Sequence, residues 1–182
     1  EEPNLKMIGI EAVKSSTPAP CRTMIKNGLK IMMNGTEEEV IDYIDECRTK
    51  FKTLPPEEIA FPRTVSNVKK YHSRTDIYSK GTPIHARGAL LFNFYIKKNK
   101  LDKKYSLIGN GEKIKFIYLK KPNIIQENVV SFIQDFPTEL NLDKYIDYDL
   151  QFEKSFLEPL KAILDAIGWN VEKTVNLELF FT

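Results

Sequence analysis

The chain has 182 residues, 42% of them hydrophobic and 29% charged, a balance of ordinary globular usage that excludes wholesale disorder and fibrous repeats. That length suits one domain, or one with a small appendage, and is enough to bury a sizeable core. The net charge of +2 is unevenly spread: residues 63–121 hold fifteen Lys and Arg against three acids (Asp76, Asp102 and Glu112), which leaves the remainder acidic by ten charges. An asymmetry of this size points to a surface for a polyanion, with a solvated lysine-rich face as the bland alternative. No apolar run approaches the roughly 18 residues of a membrane span, and no secretory leader is recognisable, so no membrane partner is expected. The opening Glu-Glu-Pro, without an initiator methionine, reads as a piece of something longer.

In chain order, Leu5 to Lys14 predicts a short strand interrupted by Gly9. Thr17 is expected as N-cap of the first helix, with Pro18 at its first position. Met24, Leu29, Met32 and Met33 give that helix an apolar face up to Asn34-Gly35, whose Asn-Gly-Thr sequon reads as a turn. Thr36-Glu37-Glu38-Glu39 is a capping box, and Val40, Ile41, Ile44, Cys47, Phe51 and Leu54 form the stripe of a second helix. A two-residue break makes the pair an antiparallel hairpin. Cys21 and Cys47 both fall in helical segments and read as reduced thiols. Residues 59–78 read as irregular, Pro83–Lys98 as a largely buried helix, and Lys97–Lys104 as a mobile basic link. Gly109-Asn110-Gly111-Glu112 is a turn before a strand at Lys113–Leu119, which Val129–Ile133 is placed to pair with. Helix is expected again from Asp143 to Ile167, kinked or broken at Pro159 and capped by Gly168, before a tail. The fold class is α/β in the α+β sense and helix-rich: a helical hairpin, a long C-terminal helix and a small antiparallel sheet.

Catalytic groups are scarce. His72, His85 and the two cysteines lack metal-ligand spacing, Gly109-Asn110-Gly111 lacks the helix and lysine of a phosphate cradle, and no nucleophile–base set stands out. The acids at Glu37–Glu39 and Asp143–Asp149 suit helix N-termini and solvated faces. Binding is therefore the expected role, and no catalysis is expected from this chain alone.

Several segments carry a resemblance. Leu5 to Pro18, ending Lys14-Ser15-Ser16-Thr17-Pro18, resembles the palm-to-thumb crossing of family B DNA polymerases of the T-even bacteriophage type. Ser66-Asn67-Val68-Lys69-Lys70-Tyr71 is similar to their Asn-x-x-Lys-Tyr segment that meets the primer strand. Pro83-Ile84-His85-Ala86-Arg87-Gly88 is similar to the opening of their buried thumb helix. Gly111-Glu112-Lys113-Ile114 and Glu153-Lys154-Ser155-Phe156-Leu157-Glu158-Pro159-Leu160 resemble a later strand and the last long helix. These segments occur in the family's order and span nearly the whole chain; Lys97–Lys104 and Lys121–Asn128 match no motif.

The resemblance implies that residues 1–14 end a palm strand, 15–169 form the thumb, and 170–182 are a tail binding a sliding clamp. The implied partners are primer–template duplex DNA, the clamp and the rest of the polymerase (palm, fingers and exonuclease), in the cytoplasm of an infected bacterial host. The implied cofactor, Mg2+, belongs to the parent's palm; none is expected here. A thumb holds duplex without reading bases, so it needs cations and hydrogen-bond donors for phosphates. The candidates are Lys14, Lys70, Lys80 and Arg87 for charge, Ser15 and Ser16 as neutral donors, and Tyr71 and His85 against sugar or phosphate. Structural roles stand beside these: Ser15-Ser16-Thr17-Pro18 starts a helix in any case, and His85 and Tyr71 also suit half-buried or core positions. In the tail, Leu177, Leu179, Phe180 and Phe181 resemble a clamp-binding peptide, with Thr174 where glutamine is usual; folding back onto the domain is the alternative. A separately encoded nucleic-acid-binding adaptor is the rival reading.

Overall fold

Two prolines, Pro18 and Pro20, decide where the first helix begins. Pro18 sits at φ −55°, ψ 141°, outside the helix, and its carbonyl accepts the first helical bond from Arg22 N at 3.0 Å. The N-cap is therefore Pro18, not Thr17 as expected. Pro20 lacks the N–H that a Thr17 cap would have bonded, so the start moves one residue on, and the buried Thr17 instead donates its own N–H to Lys14 O at 3.1 Å.

This structure, a computed structural model, describes residues 13–166 and 180–181. Along them run α1 (Ala19–Asn34), α2 (Glu37–Phe51), α3 (Pro56–Ile59), β1 (Phe61–Thr64), α4 (Ile84–Lys98), β2 (Lys113–Tyr118), β3 (Val129–Phe132), α5 (Tyr148–Phe152), a π turn (Glu153–Leu157) and α6 (Glu158–Ala166). The strand expected over 5–14 and the cap at Gly168 lie outside the described residues, apart from Val13 and Lys14, which are not in a strand. The chain divides into two compact units, Glu1–Ile59 with Tyr148–Thr182, and Ala60–Asp147.

The first unit is helical. Thr36 Oγ1 accepts from Glu39 N at 3.2 Å, the capping bond that opens α2, and Tyr43 OH on α2 reaches back to Met24 O on α1 at 2.9 Å. Phe51, Phe152 and Phe156 are fully buried; Phe51 meets Phe152 edge-on at 5.3 Å, and Phe152 stacks on Phe156 at 4.9 Å. Gln151 is buried with them, its amide donating to Ile59 O at 2.7 Å. The helix expected from Asp143 opens as a short 3-10 turn (Asp143–Tyr145), is interrupted where Ile146 bridges Leu119, and becomes α-helical only at Tyr148. The break expected at Pro159 takes the form of the π turn just before it, which widens the backbone where the proline ring would clash with a carbonyl. Cys21 and Cys47 are free and buried, and burial pushes the Cys21 thiol up to about 11.

The second unit is a three-stranded antiparallel sheet, ordered β1-β2-β3, with α4 packed on it. Register pairs Phe61 with Phe116 and Phe116 with Ser131. β1 falls in the segment expected to be irregular: Pro62 hides it from a strand reading, yet an edge strand tolerates proline. Of Lys97–Lys104, expected as a mobile link, Lys97 and Lys98 end α4, and the residues after them form a turn held by hydrogen bonds such as Leu101 N to Ile96 O at 2.8 Å. Lys104 pairs with Glu139 at 3.0 Å and Tyr105 OH donates to the same carboxylate at 2.8 Å. These two bonds hold Glu139 down to about 2, while burial and then Glu139 raise Tyr105 to about 12.

α4 sits on β3 through Gly88. A Cβ there would collide with Ser131 Oγ and lie 2.9 Å from Ser131 N and 3.1 Å from Val130 C. Gly88→Ala should therefore cost about 1–3 kcal/mol in denaturant unfolding. Adding Ser131→Ala should recover only part of it, because the backbone clash remains; full recovery would contradict this seating.

Candidate nucleic-acid interface

The eight residues proposed to meet DNA fall in both units. Lys14, Ser15 and Ser16 precede α1 in a turn closed by the Thr17 N–H bond to Lys14 O; Lys14 and Ser15 are exposed and Ser16 half-buried. Lys70, Tyr71, Lys80, His85 and Arg87 belong to the second unit.

In that unit, local chemistry brings the five toward the start of α4. Asn67 Oδ1 accepts from Lys70 N at 3.3 Å and caps a short 3-10 turn, Val68–Tyr71. Asn110, in the Gly109-Asn110-Gly111 turn, anchors it by accepting from Val68 N at 2.7 Å. The carbonyl of Tyr71 then accepts from both Ser79 N and Ser79 Oγ, each at 2.8 Å, which folds the intervening loop back so that Lys70-Tyr71 and Lys80 converge. Gly81, at φ 83°, turns the chain into Pro83, which starts α4. Lys70 and Lys80 are exposed and have no acidic partner among the described ion pairs; the Lys70 ammonium lies 5.6 Å from the Tyr71 ring centroid.

Arg87 is differently placed. It is 19% exposed and donates to Glu127 Oε2 at 3.0 Å and Asn128 Oδ1 at 2.7 Å, over the Tyr78 ring. Tyr78 OH donates to the other Glu127 oxygen at 2.7 Å. Its charge is therefore largely met inside the protein, and the cluster joins α4, the 71–83 loop and the segment before β3. Glu127, Asn128 and Tyr78 were missed in the sequence, since nothing local links Arg87 to an acid forty residues on.

His85 is half-buried, and Ser131 Oγ donates to its carbonyl at 2.9 Å. Burial, and then the charge of Arg63, lower its pKa below the ordinary 6.5. At neutral pH it offers a ring N–H and a lone pair, not a cation. Phe180 and Phe181 are half-buried, and Arg48 Nη2 donates to Phe180 O at 3.0 Å. Leu177 and Leu179 lie outside the described residues. Among the described residues, no three His, Cys, Asp or Glu gather to hold a metal, and no helix is long and apolar enough to cross a membrane.

Because folded His85 binds its proton less readily than the unfolded chain does, it contributes stability above 6.5 that is lost as pH falls below it. Denaturant midpoints should decline from neutral pH to about pH 5, and His85→Gln should flatten that decline. An equal decline in the variant would remove His85 as its source.

Two DNA-directed DNA polymerases align with almost all of the chain. That of Enterobacteria phage T4 is 25% identical over 184 residues, covering 99% of this chain and 20% of the relative. That of Escherichia phage RB69 is 30% identical over 180 residues, covering 97% and 20%. The chain thus spans about a fifth of the length of these relatives. A solved family B DNA polymerase from the hyperthermophilic archaeon Pyrobaculum calidifontis shares the fold, with a TM-score of 0.53 at 16% identity over 87% of this chain and 19% of that one. No family profile matches. The chain is a homologue of one segment of the family B DNA polymerases of the T-even phage type.

Proposed function

We propose that residues 15–169 are the thumb of a phage replicative DNA polymerase, gripping primer–template duplex by its backbone, with residues 1–14 ending a palm strand and 170–182 binding a sliding clamp. The observation that carries this reading is that hydrogen bonds from Ser79 to the Tyr71 carbonyl bring the backbones next to the exposed Lys70 and Lys80 together ahead of α4, in a chain similar to polymerases over nearly its whole length. Two flexible cations on a rigid base suit phosphates of any sequence. Tyr71 and the neutral His85 are suited to sugar or a phosphate oxygen, and Lys14, Ser15 and Ser16 add a cation and donors from the first unit. Arg87 positions the helix start through Glu127 and reaches phosphate only by exchanging that partner. The whole enzyme would work in the cytoplasm of an infected bacterium, with palm, fingers and exonuclease as its other parts.

Template-directed nucleotidyl transfer uses two Mg2+ ions that stabilise the attacking and leaving oxygens. The donor groups among the described residues do not fit such a pair, so this chain's part is to bind and orient the duplex. The tail adds a tether, raising effective concentration without touching the chemistry.

The duplex grip is tested by salt. With about four phosphates neutralised, log K against log[salt] should fall with a slope of roughly −3 to −4. Lys70→Ala and Lys80→Ala should each weaken all duplex sequences alike and flatten the slope by about one. Salt-independent affinity, or strong preference for one sequence, would overturn the reading.

Truncation after Lys173 should abolish clamp binding and leave duplex affinity and thermal stability nearly unchanged. The described links from the tail to the domain are the Arg48 hydrogen bond to Phe180, worth about 1.5–3 kcal/mol, and the partial burial of the Phe180 and Phe181 side chains. A melting temperature lowered by many degrees would place the tail in the core and remove the physical basis for the clamp assignment.

A further inference from the structure

The outward face of α4 and the loop at residues 72–77 enclose a cleft of about 920 Å3, within the size range of ligand sites. Its walls carry Arg74, Lys97 and Lys98 against one acid, Asp76, together with His72 and an exposed Phe94. Phe94 is 43% exposed; it and Ile124 are the exposed large apolar side chains among the described residues. Tyr95 meets its ring edge-on at 5.0 Å, and the Lys98 ammonium lies 6.0 Å from its centroid. The result is a supported aromatic platform with positive charge beside it.

We propose that this cleft binds unpaired nucleotides of a single DNA strand, one base stacking on Phe94 and its flanking phosphates lying on Arg74, Lys97 and Lys98. Three permanent cations against one carboxylate favour a polyanion, and the exposed ring favours one with flat π faces, the combination that binds single strands without sequence preference. Duplex bases are stacked on one another and leave no face for Phe94. An acidic peptide is disfavoured because the loop has few main-chain donors to give: Thr75 N and Asp76 N both donate to Ser73 Oγ, at 3.3 and 3.2 Å. Asn93 is also committed, its amide donating to Ile108 O at 2.9 Å and accepting from Ile108 N at 2.8 Å. What the cleft leaves available is charge and an aromatic face. This site is distinct from the duplex grip at Lys70 and Lys80 and goes beyond it.

The test uses the full chain and fluorescence anisotropy with three labelled probes: a short oligothymidylate, an abasic strand of equal length and charge, and a duplex. Phe94→Ala should weaken the oligothymidylate about five- to a hundredfold, the range of one lost base–aromatic stack, and leave the abasic strand and the duplex unchanged. Lys97→Gln with Lys98→Gln should weaken both single strands equally. Phe94→Leu, which keeps apolar volume but lacks a ring, should behave as Phe94→Ala, with circular dichroism melts showing that both variants fold. The proposal is overturned if Phe94→Ala leaves oligothymidylate binding unchanged, or if the duplex weakens equally. It also fails if an acidic aromatic peptide proves the Phe94-dependent ligand and the strand does not. Absence of duplex binding by the unaltered chain would sink the thumb reading alone, since the two single-stranded probes still decide this one.

Discussion

Close contact between α4 and β3 at Gly88 and Ser131 is the constraint on which the second unit depends. With no side chain at residue 88, the helix comes near enough for the buried Ser131 hydroxyl to find an acceptor in the His85 carbonyl. Register then follows: Ser131 opposes Phe116, Phe116 opposes Phe61, and the two rings stack at 5.0 Å beside Leu91 and Val129. A shift of one residue along either element would drive a side chain into the sheet. The same seating fixes where His85 and Arg87 emerge, and through Pro83 and Gly81 where Lys80 stands.

The large positive excess of the middle segment is divided by structure into committed and available charge. Arg87 is spent on Glu127 and Asn128, and Lys104 on Glu139; both bonds lock loops to the rest of the unit. Lys70 and Lys80 remain exposed on a rigid base, and Lys97 and Lys98 continue the charge at the far end of α4 beside Phe94. A half-buried pair such as Arg87–Glu127 gains from Coulomb attraction in lower dielectric and loses to desolvation, so its main effect is to fix geometry. Exposed lysines gain little within the protein and interact readily with an external polyanion.

Much of the fold was legible because single residues decide it. Pro83 and the apolar run behind it mark α4 almost to the residue, and Thr36 with Glu39 marks α2. Misreadings came where a local signal competed with a partner distant in sequence. Pro62 disguised β1, whose edge position makes the missing N–H harmless; Pro20 displaced the cap from Thr17; and Ile146 left its helical pattern to bridge Leu119. The candidate cations were legible from the basic excess of residues 63–121 taken together with the family resemblance, which alone pointed to Lys14. Their separation into bonded and available sets was not, because Glu127, Asn128 and Asn123 sit in the 121–128 segment that matched no motif. There Asn123, nearly fully buried, organises the turn by donating to Lys120 O and Glu127 O, each at 2.7 Å.

The claim at the centre of this account is that the second unit meets duplex backbone at the segments leading into α4. Hydrogen–deuterium exchange of the full chain, with and without saturating duplex of mixed sequence, addresses it most directly. The account predicts slowed exchange at residues 67–71 and 79–87, with the acidic α2 unchanged. Protection confined to the first unit, or no change at residues 67–71 and 79–87 with duplex bound, would contradict it.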